Sequence, residues 1–382
     1  MVGYWPGDRH RALLHAALDE PEAALAAWER WRASVEFDDL DEPEQRLLPV
    51  VYRNLGERLS GDSVEGRMRG IYRLAWTRNQ LLAAAAAAAI RALAQAGIPT
   101  LSLKGAPLSV LNYRDMGARP MADVDLLVRP AQAAAAMDCL WGGGWRTELN
   151  DPKRMIRVHH SYAFSKPPQG EVDLHWFSLW TTSGDAPLWE AAVPLEVGGE
   201  RTLAPCSADS LLNVCAHGSP RQPTPAFRWI ADAVTIVRSD PPDWDRLIAE
   251  ARRRRLTVAA AATLAYLRAE FSLDVPDGVI VSLGESPAPF WERAAFRAAS
   301  RERTPWGTLV LIAERHRRMR DLGSEAPWHP GFLAYAASIW DFERPGQVLV
   351  YGARRMGRFG LSRVGLGSHS RGHGNGGARS AL

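Results

Sequence analysis

Lysine is scarce in this sequence. Of 46 basic residues only Lys104, Lys153 and Lys166 are lysine, and the rest are arginine. Codon usage of a GC-rich genome, also suggested by the abundant alanine, accounts for that bias, but a lysine inside a motif still stands out. Cysteine is scarce too: Cys139, Cys206 and Cys215 are odd in number and form no CxxC pair. This excludes a disulfide framework and fits a reducing compartment. No charge of one sign dominates. A net charge of +3 over 382 residues is too small for a polyanion-binding protein, so nucleic acid is not an expected partner. Long apolar runs are missing: the most apolar stretch, Leu81 to Ile90, falls well short of the ~20 residues that cross a bilayer. The opening MVGYWPGDRHR lacks the basic-then-apolar order of a signal peptide. The expectation is a cytoplasmic protein with no membrane association. GxSxG, HExxH, Walker A and GxGxxG motifs are missing from any convincing context, and there is no solenoid-period repeat.

What is present is ordinary globular material, 46% hydrophobic and 23% charged, in a length that suggests two to three domains. Residues 1–97 read as helical. Asp19-Glu20-Pro21-Glu22 and Asp41-Glu42-Pro43-Glu44 place acids and a proline where helices start. Ala23 to Phe37 follows the first signal, and Pro49 is expected to kink or restart the helix after the second. Met68 to Ala96 reads as one long helix, with Leu82, Ala86, Ile90 and Leu93 on one stripe and Gly97 as its C-cap. From Ile98 to about 205 the pattern is α/β or α+β. Strands are expected at Leu101-Ser102-Leu103, Val124 to Val128, Tyr162 to Phe164 and Val172 to Trp176, with a helix over Ala131 to Trp141. Residues 206–360 return to helices, around Phe227 to Val237, Trp244 to Arg254, Thr257 to Phe271, Pro289 to Ala299 and Pro330 to Trp340. The Gly/Ser/Arg/His-rich segment 361–382 has too little apolar surface to offset its ordering entropy and is expected to be disordered.

Three motifs carry the chemistry. In PMADVDLLV (120–128), Asp123 and Asp125 stand two apart on a strand, so both side chains leave one face. Two such carboxylates repel unless a cation sits between them, and oxygen-only ligands suit Mg²⁺ or Mn²⁺. The competing reading is a solvated edge strand with two surface acids, against which the bracketing apolar residues count. In LSLKGAP (101–107) a strand ends at Lys104-Gly105 and a helical stretch follows. Glycine lets the backbone approach an anion, and lysine can meet a phosphate as a point charge; a plain strand-to-helix turn looks the same. In GEVDLHW (170–176), Asp173 offers a third carboxylate, with His175 on its face. Together these would make a two-metal site for phosphoryl-type transfer.

The set resembles the nucleotidyltransferase superfamily, and more narrowly a bacterial family of uncharacterised nucleotidyltransferases. The matching segments are LKGAPLSVLNY (103–113), GARPMADVDLLV (117–128), the Gly-rich turn ending at Trp145, and EVDLHW (171–176). A weaker match runs through His217 and Arg228 to Asp232, so the resemblance covers about 80–250. It implies an α+β fold, a mixed nucleotidyltransferase sheet with helices, flanked by helical N- and C-terminal regions. It implies Asp123, Asp125 and Asp173 as metal ligands and catalytic acids, with Asp173 also a base for the acceptor hydroxyl. Gly105 would approach the triphosphate, and Lys104, Arg119 and His175 would complete the nucleotide site. Mg²⁺ or Mn²⁺ is the implied cofactor and an NTP the co-substrate. The acceptor is a small molecule, peptide or protein that the sequence does not name. Ala106 departs from the pattern, because serine is usual there; Lys104 and Arg119 are the expected substitutes for its hydroxyl.

Other residues carry competing readings. Arg119 reads equally as a loop arginine. His159 and His160 read as a polar surface strand. Arg228 and Asp232, four apart, read as a salt bridge or as cleft residues. Arg252 to Arg255 read as a solvated helix end or a polyanion contact. Trp176, Trp180 and Trp229 read as core more readily than as base-stacking platforms. The rival functions are a metal-dependent glycosyltransferase using a nucleotide sugar and a catalytically silent nucleotide-binding protein.

Overall fold

The structure is a computed structural model that describes residues 5–149, 151–157, 159–168, 170–180, 184–218, 227–300, 304–321, 331–339, 342 and 344–351. The expected disordered segment 361–382 lies outside these residues, as do the ends of the helix expected over Pro330 to Trp340.

Three helices open the chain: α1 (Asp8–Leu18), α2 (Pro21–Arg32) and α3 (Glu42–Leu55). Both acid-proline signals start helices. At the second, Asp41 and Glu44 form a capping box, each side chain accepting from the other's backbone N–H, which satisfies two orphan donors. Helix α3 continues through Pro49 and does not restart there, and α2 ends five residues short of Phe37. Helix α4 (Glu65–Gln95) buries Leu82, Ala86, Ile90 and Leu93 as its stripe requires.

The α4 stripe covers one face of a sheet. Among the described residues the sheet has six strands in the order β3-β4-β2-β1-β6-β5. These are β1 (Leu101–Leu103), β2 (Val124–Leu127), β3 (Ser161–Lys166), β4 (Gly170–His175), β5 (Val193–Val197) and β6 (Glu200–Ala204). The sheet is mixed: β2 pairs parallel with β4 and antiparallel with β1. Val124, Leu126, Val172 and Leu174 point to the α4 side and join its core, with α6 (Ala133–Gly142) beside them. The period of two therefore sends Asp125, Asp173 and His175 to the opposite face. A short helical turn, α5 (Gly105–Pro107), follows β1 and continues as a π-helical turn over Leu108–Tyr113.

The hairpin β5–β6 was not expected from the sequence. Its turn is Gly198-Gly199, both with positive φ (56° and 86°), a conformation glycine adopts without strain and hairpins favour. Pro194 breaks the strand pattern, yet β5 is the sheet edge, where proline is tolerated. His159 and His160 precede β3 rather than forming a polar surface strand.

The rest of the chain is helical: α7 (Ala186–Glu190), α8 (Ser207–Gly218), α9 (Arg228–Ser239), α10 (Trp244–Arg253), α11 (Thr257–Phe271), α12 (Asp277–Gly284), α13 (Phe290–Ala299), α14 (Pro305–Asp321) and α15 (Phe332–Ile339). Two arrangements matter for the site. Helices α8–α12 share one hydrophobic core with α1–α3, so the first helices pack against helices that follow the sheet. Helices α14 and α15 return to the sheet core through Ile312, Met319 and Tyr335. The arginine run does not lie wholly in solvent. Arg254 is buried, paired with Asp185 and Glu250 and donating to Ser178 Oγ at 3.0 Å.

Candidate active site

The parallel register sets Asp125 opposite Asp173. The antiparallel one sets Leu103 opposite Asp125. Lys104, the next residue, is thereby delivered to the acids, and its Nζ donates to Asp125 Oδ1. Its backbone has φ 54°, a region costly for a residue with a Cβ and tolerated where the surroundings over-determine it. Burial opposes charge on Lys104, but Asp125, Asp173 and Asp123 outweigh it and raise its pKa. Gly105 is tightly enclosed: a Cβ there would lie 2.8 Å from Met121 Sδ and 3.0 Å from Arg119 Nη1. Ala106 is buried in the sheet core.

His175 is buried beneath the two acids. Its Nε2 lies 2.9 Å from Asp125 Oδ1 and 3.0 Å from Asp173 Oδ2, and its Nδ1 3.2 Å from the Phe177 carbonyl. Carbonyls and carboxylates accept only, so these contacts want a proton on both nitrogens. Burial works against that charge, yet Asp173 first and then the bonds to both acids push the pKa up to about 9. Asp125 is held well below the usual carboxylate range, against its burial, by Lys104 and His175. Asp123 lies just before β2, half-buried, and burial followed by the charge of Asp125 pushes it up to about 6.

The donor set suits a hard divalent cation. Asp125 and Asp173 bring carboxylate oxygens within 4.8 Å of one another and of His175, which with both nitrogens protonated is their counter-charge and not a ligand; Asp123 is not in that group. Asp125 Oδ2, Asp173 Oδ1 and both oxygens of Asp123 have no hydrogen-bond partner among the described residues. Such oxygen donors fit Mg²⁺ or Mn²⁺. The cations that neutralise the acids in this structure are protein groups, Lys104 and His175.

Arg119 is buried behind the Lys104-Gly105 turn. It forms a two-pronged pair with Asp232 of α9, Nε to Oδ1 at 2.8 Å and Nη2 to Oδ2 at 2.9 Å, and Tyr113 donates to the same carboxylate at 3.0 Å. The ion pair of Asp232 is thus with Arg119 rather than Arg228, which donates to the Pro120 carbonyl at 2.7 Å. Trp176 and Trp229 are buried in the core.

Two contributors were not found from sequence. Asn79, buried on α4, donates to the carbonyls of Met116 (2.6 Å) and Arg119 (2.8 Å) and accepts from Met121 N (2.9 Å). It pins the loop that leads into Asp123, and a lone amide in an alanine-rich helix was its only signal. His160 packs edge-to-face on His175, with centroids 5.3 Å apart, and Arg315 of α14 reaches it; sequence spacing holds no sign of either contact.

No helix among the described residues is long and apolar enough to cross a membrane. No curated protein and no solved structure matches the chain. A family described as uncharacterised nucleotidyltransferases matches residues 43–272, a span holding every strand, the three acids and α9. With more than half its length inside that match and the six-stranded mixed sheet to go with it, the chain belongs to the uncharacterised nucleotidyltransferase family.

Proposed function

We propose that the protein transfers a nucleoside monophosphate from an NTP to a hydroxyl or phosphate on a small molecule, peptide or protein, releasing pyrophosphate. The observation that carries this reading is Asp125 facing Asp173 across β2–β4, with unpartnered oxygens, beside the Lys104-Gly105 turn. Asp123, Asp125 and Asp173 would hold Mg²⁺ or Mn²⁺, which supplies neutralisation of triphosphate charge and of the leaving pyrophosphate. Asp173 is assigned as the base for the acceptor: His175 holds its Oδ2 in place and leaves Oδ1 free. The acceptor oxygen forms its bond to the α-phosphorus as the bond to pyrophosphate breaks, and the acceptor proton goes to Asp173. Lys104 and Gly105 border the phosphates, Lys104 as a compact ammonium. Arg119 orients that turn from behind through Asp232. Family membership supports the reaction class, and the unpaired thiols support a reducing, cytoplasmic setting.

The test incubates the protein with each of four α-labelled NTPs, Mg²⁺ or Mn²⁺, and fractionated native extract. Label should move to one acceptor class, and Asp123→Asn and Asp173→Asn should abolish the transfer. Label transfer retained in both variants sinks the reading. One observation favours a silent nucleotide binder instead: Ala106 sits in the core where the superfamily carries a hydroxyl. Metal-dependent NTP binding with no turnover in any fraction would select that reading.

A further inference from the structure

Among the described residues four arginines are buried: Arg119, Arg254, Arg315 and Arg318. Three have acids. Arg119 holds Asp232, Arg254 holds Asp185 and Glu250, and Arg318 holds Glu314. Arg315 has none within ion-pair distance among the described residues. It is 8% exposed, and its one hydrogen bond is long, Nη2 to His160 Nδ1 at 3.4 Å. His160 is an imidazole and brings no negative charge. A guanidinium is always protonated, and a buried cation without a counter-charge opposes folding. Such a group persists where an anion completes it.

Its position says which anion. Helix α14 anchors Ile312 and Met319 in the sheet core, which fixes Arg315 between them over the start of β3. His160 separates it from His175, and His175 touches Asp125 and Asp173. Two imidazoles, His160 and His175, therefore stand between the guanidinium and the acids. The arginine first expected at the phosphates, Arg119, has Nε and Nη2 engaged by Asp232.

We propose that Arg315 contacts the phosphate chain of the nucleoside triphosphate, so that α14, outside the family match, completes the nucleotide site. This inference rests on the nucleotidyltransfer reading. A guanidinium suits the role because its planar fork pairs two phosphate oxygens at once.

The test uses the full-length wild type, Arg315→Gln and Arg315→Lys. Thermal unfolding and titration calorimetry are run with each NTP and with inorganic tripolyphosphate, all with Mg²⁺ and no acceptor. The wild type should bind an NTP and tripolyphosphate and gain Tm with both. Without ligand, Arg315→Gln should unfold at the same temperature or higher, since an uncompensated buried charge is gone. It should bind both ligands roughly 10–100-fold more weakly, the equivalent of a charge-assisted hydrogen bond, and Arg315→Lys should recover part of the loss. Arg315→Gln affinities within twofold of the wild type overturn the inference and leave the nucleotidyltransfer reading standing. So does weakened NTP binding with unchanged tripolyphosphate binding. A wild type that binds no NTP overturns both readings. If Arg315→Gln does not fold, Arg315→Lys decides: at least fivefold weaker binding supports the contact, and unchanged binding overturns it.

Discussion

Two aspartates that look alike in the sequence have opposite surroundings in the fold. Asp123 has no hydrogen-bond partner among the described residues, and burial and the charge of Asp125 push its pKa up to about 6, whereas Asp125 holds both Lys104 and His175. Asp123→Asn should therefore leave stability within about 1 kcal/mol of the wild type, as an unpaired polar substitution does, while abolishing label transfer. Asp125→Asn should cost about 3 kcal/mol, because it takes the shared carboxylate from the buried pair Lys104 and His175 and leaves Asp173 as the one acid bonded to His175. Urea melts of the two variants check this, and equal midpoints would contradict the assigned pairs. Spacing alone made the two acids legible as a same-face pair. It did not separate them, because the groups that do so come from β1 and β4. Asp232 is similar: a local i,i+4 rule suggests Arg228, while the chain supplies Arg119 from the loop before β2.

Elements were legible where one period ran uninterrupted. The α4 stripe, β1, β2 and β4 followed from 3.6- and 2-residue patterns, because one side of each faces a core. The β5–β6 hairpin did not, since Pro194 and the charged Glu196, Glu200 and Arg201 mask the alternation around a glycine pair. That pair gives a contrast. A Cβ on Gly198 would meet the Ala83 carbonyl oxygen of α4 at 2.5 Å, while one on Gly199 would meet open space. Gly199→Ala should cost about 1 kcal/mol, from positive φ alone. Gly198→Ala adds a backbone clash and should cost clearly more. Chemical denaturation measures both, and a smaller loss for Gly198→Ala would contradict the packing of the hairpin on α4. At the other end, His15 of α1 bonds Asp19 (2.9 Å) and Glu270 of α11 (3.1 Å). The bond to Asp19 raises its pKa, with burial opposing and Glu270 adding. A raised folded pKa contributes stability that is complete below the unfolded value of ~6.5 and is lost as pH rises through the folded one. The contribution is up to ~1 kcal/mol for such a part-exposed pair. The stability difference between wild type and His15→Gln should therefore shrink from pH 6 toward pH 9. A difference that grows with pH would contradict the pairing.

At the scale of the whole molecule, helices α1–α3 and α8–α12 share one core, and Arg119–Asp232 ties that helical body to the loop carrying Asp123. The sequence divides into segments 1–97, 98–205 and 206–360 by composition, which cannot register a core assembled from the first and third. Unfolding should accordingly be a single calorimetric transition. Arg119→Ala should cost about 3–5 kcal/mol by leaving Asp232 buried and unpaired, and Asp232→Leu introduced on top of it should recover part of that loss. Two resolved transitions in the wild type would contradict the shared core. The same core has a consequence during synthesis. Most of its members lie at 13–68 and 208–283, with Leu108, Tyr113, Ala118 and Leu179 between. At roughly 5–20 residues per second, the apolar faces of α1–α3 emerge roughly 10–40 seconds before the helices that cover them. The first third of the chain is thus a natural client for holding chaperones at the ribosome, and a fragment ending after β6 is expected to aggregate rather than fold.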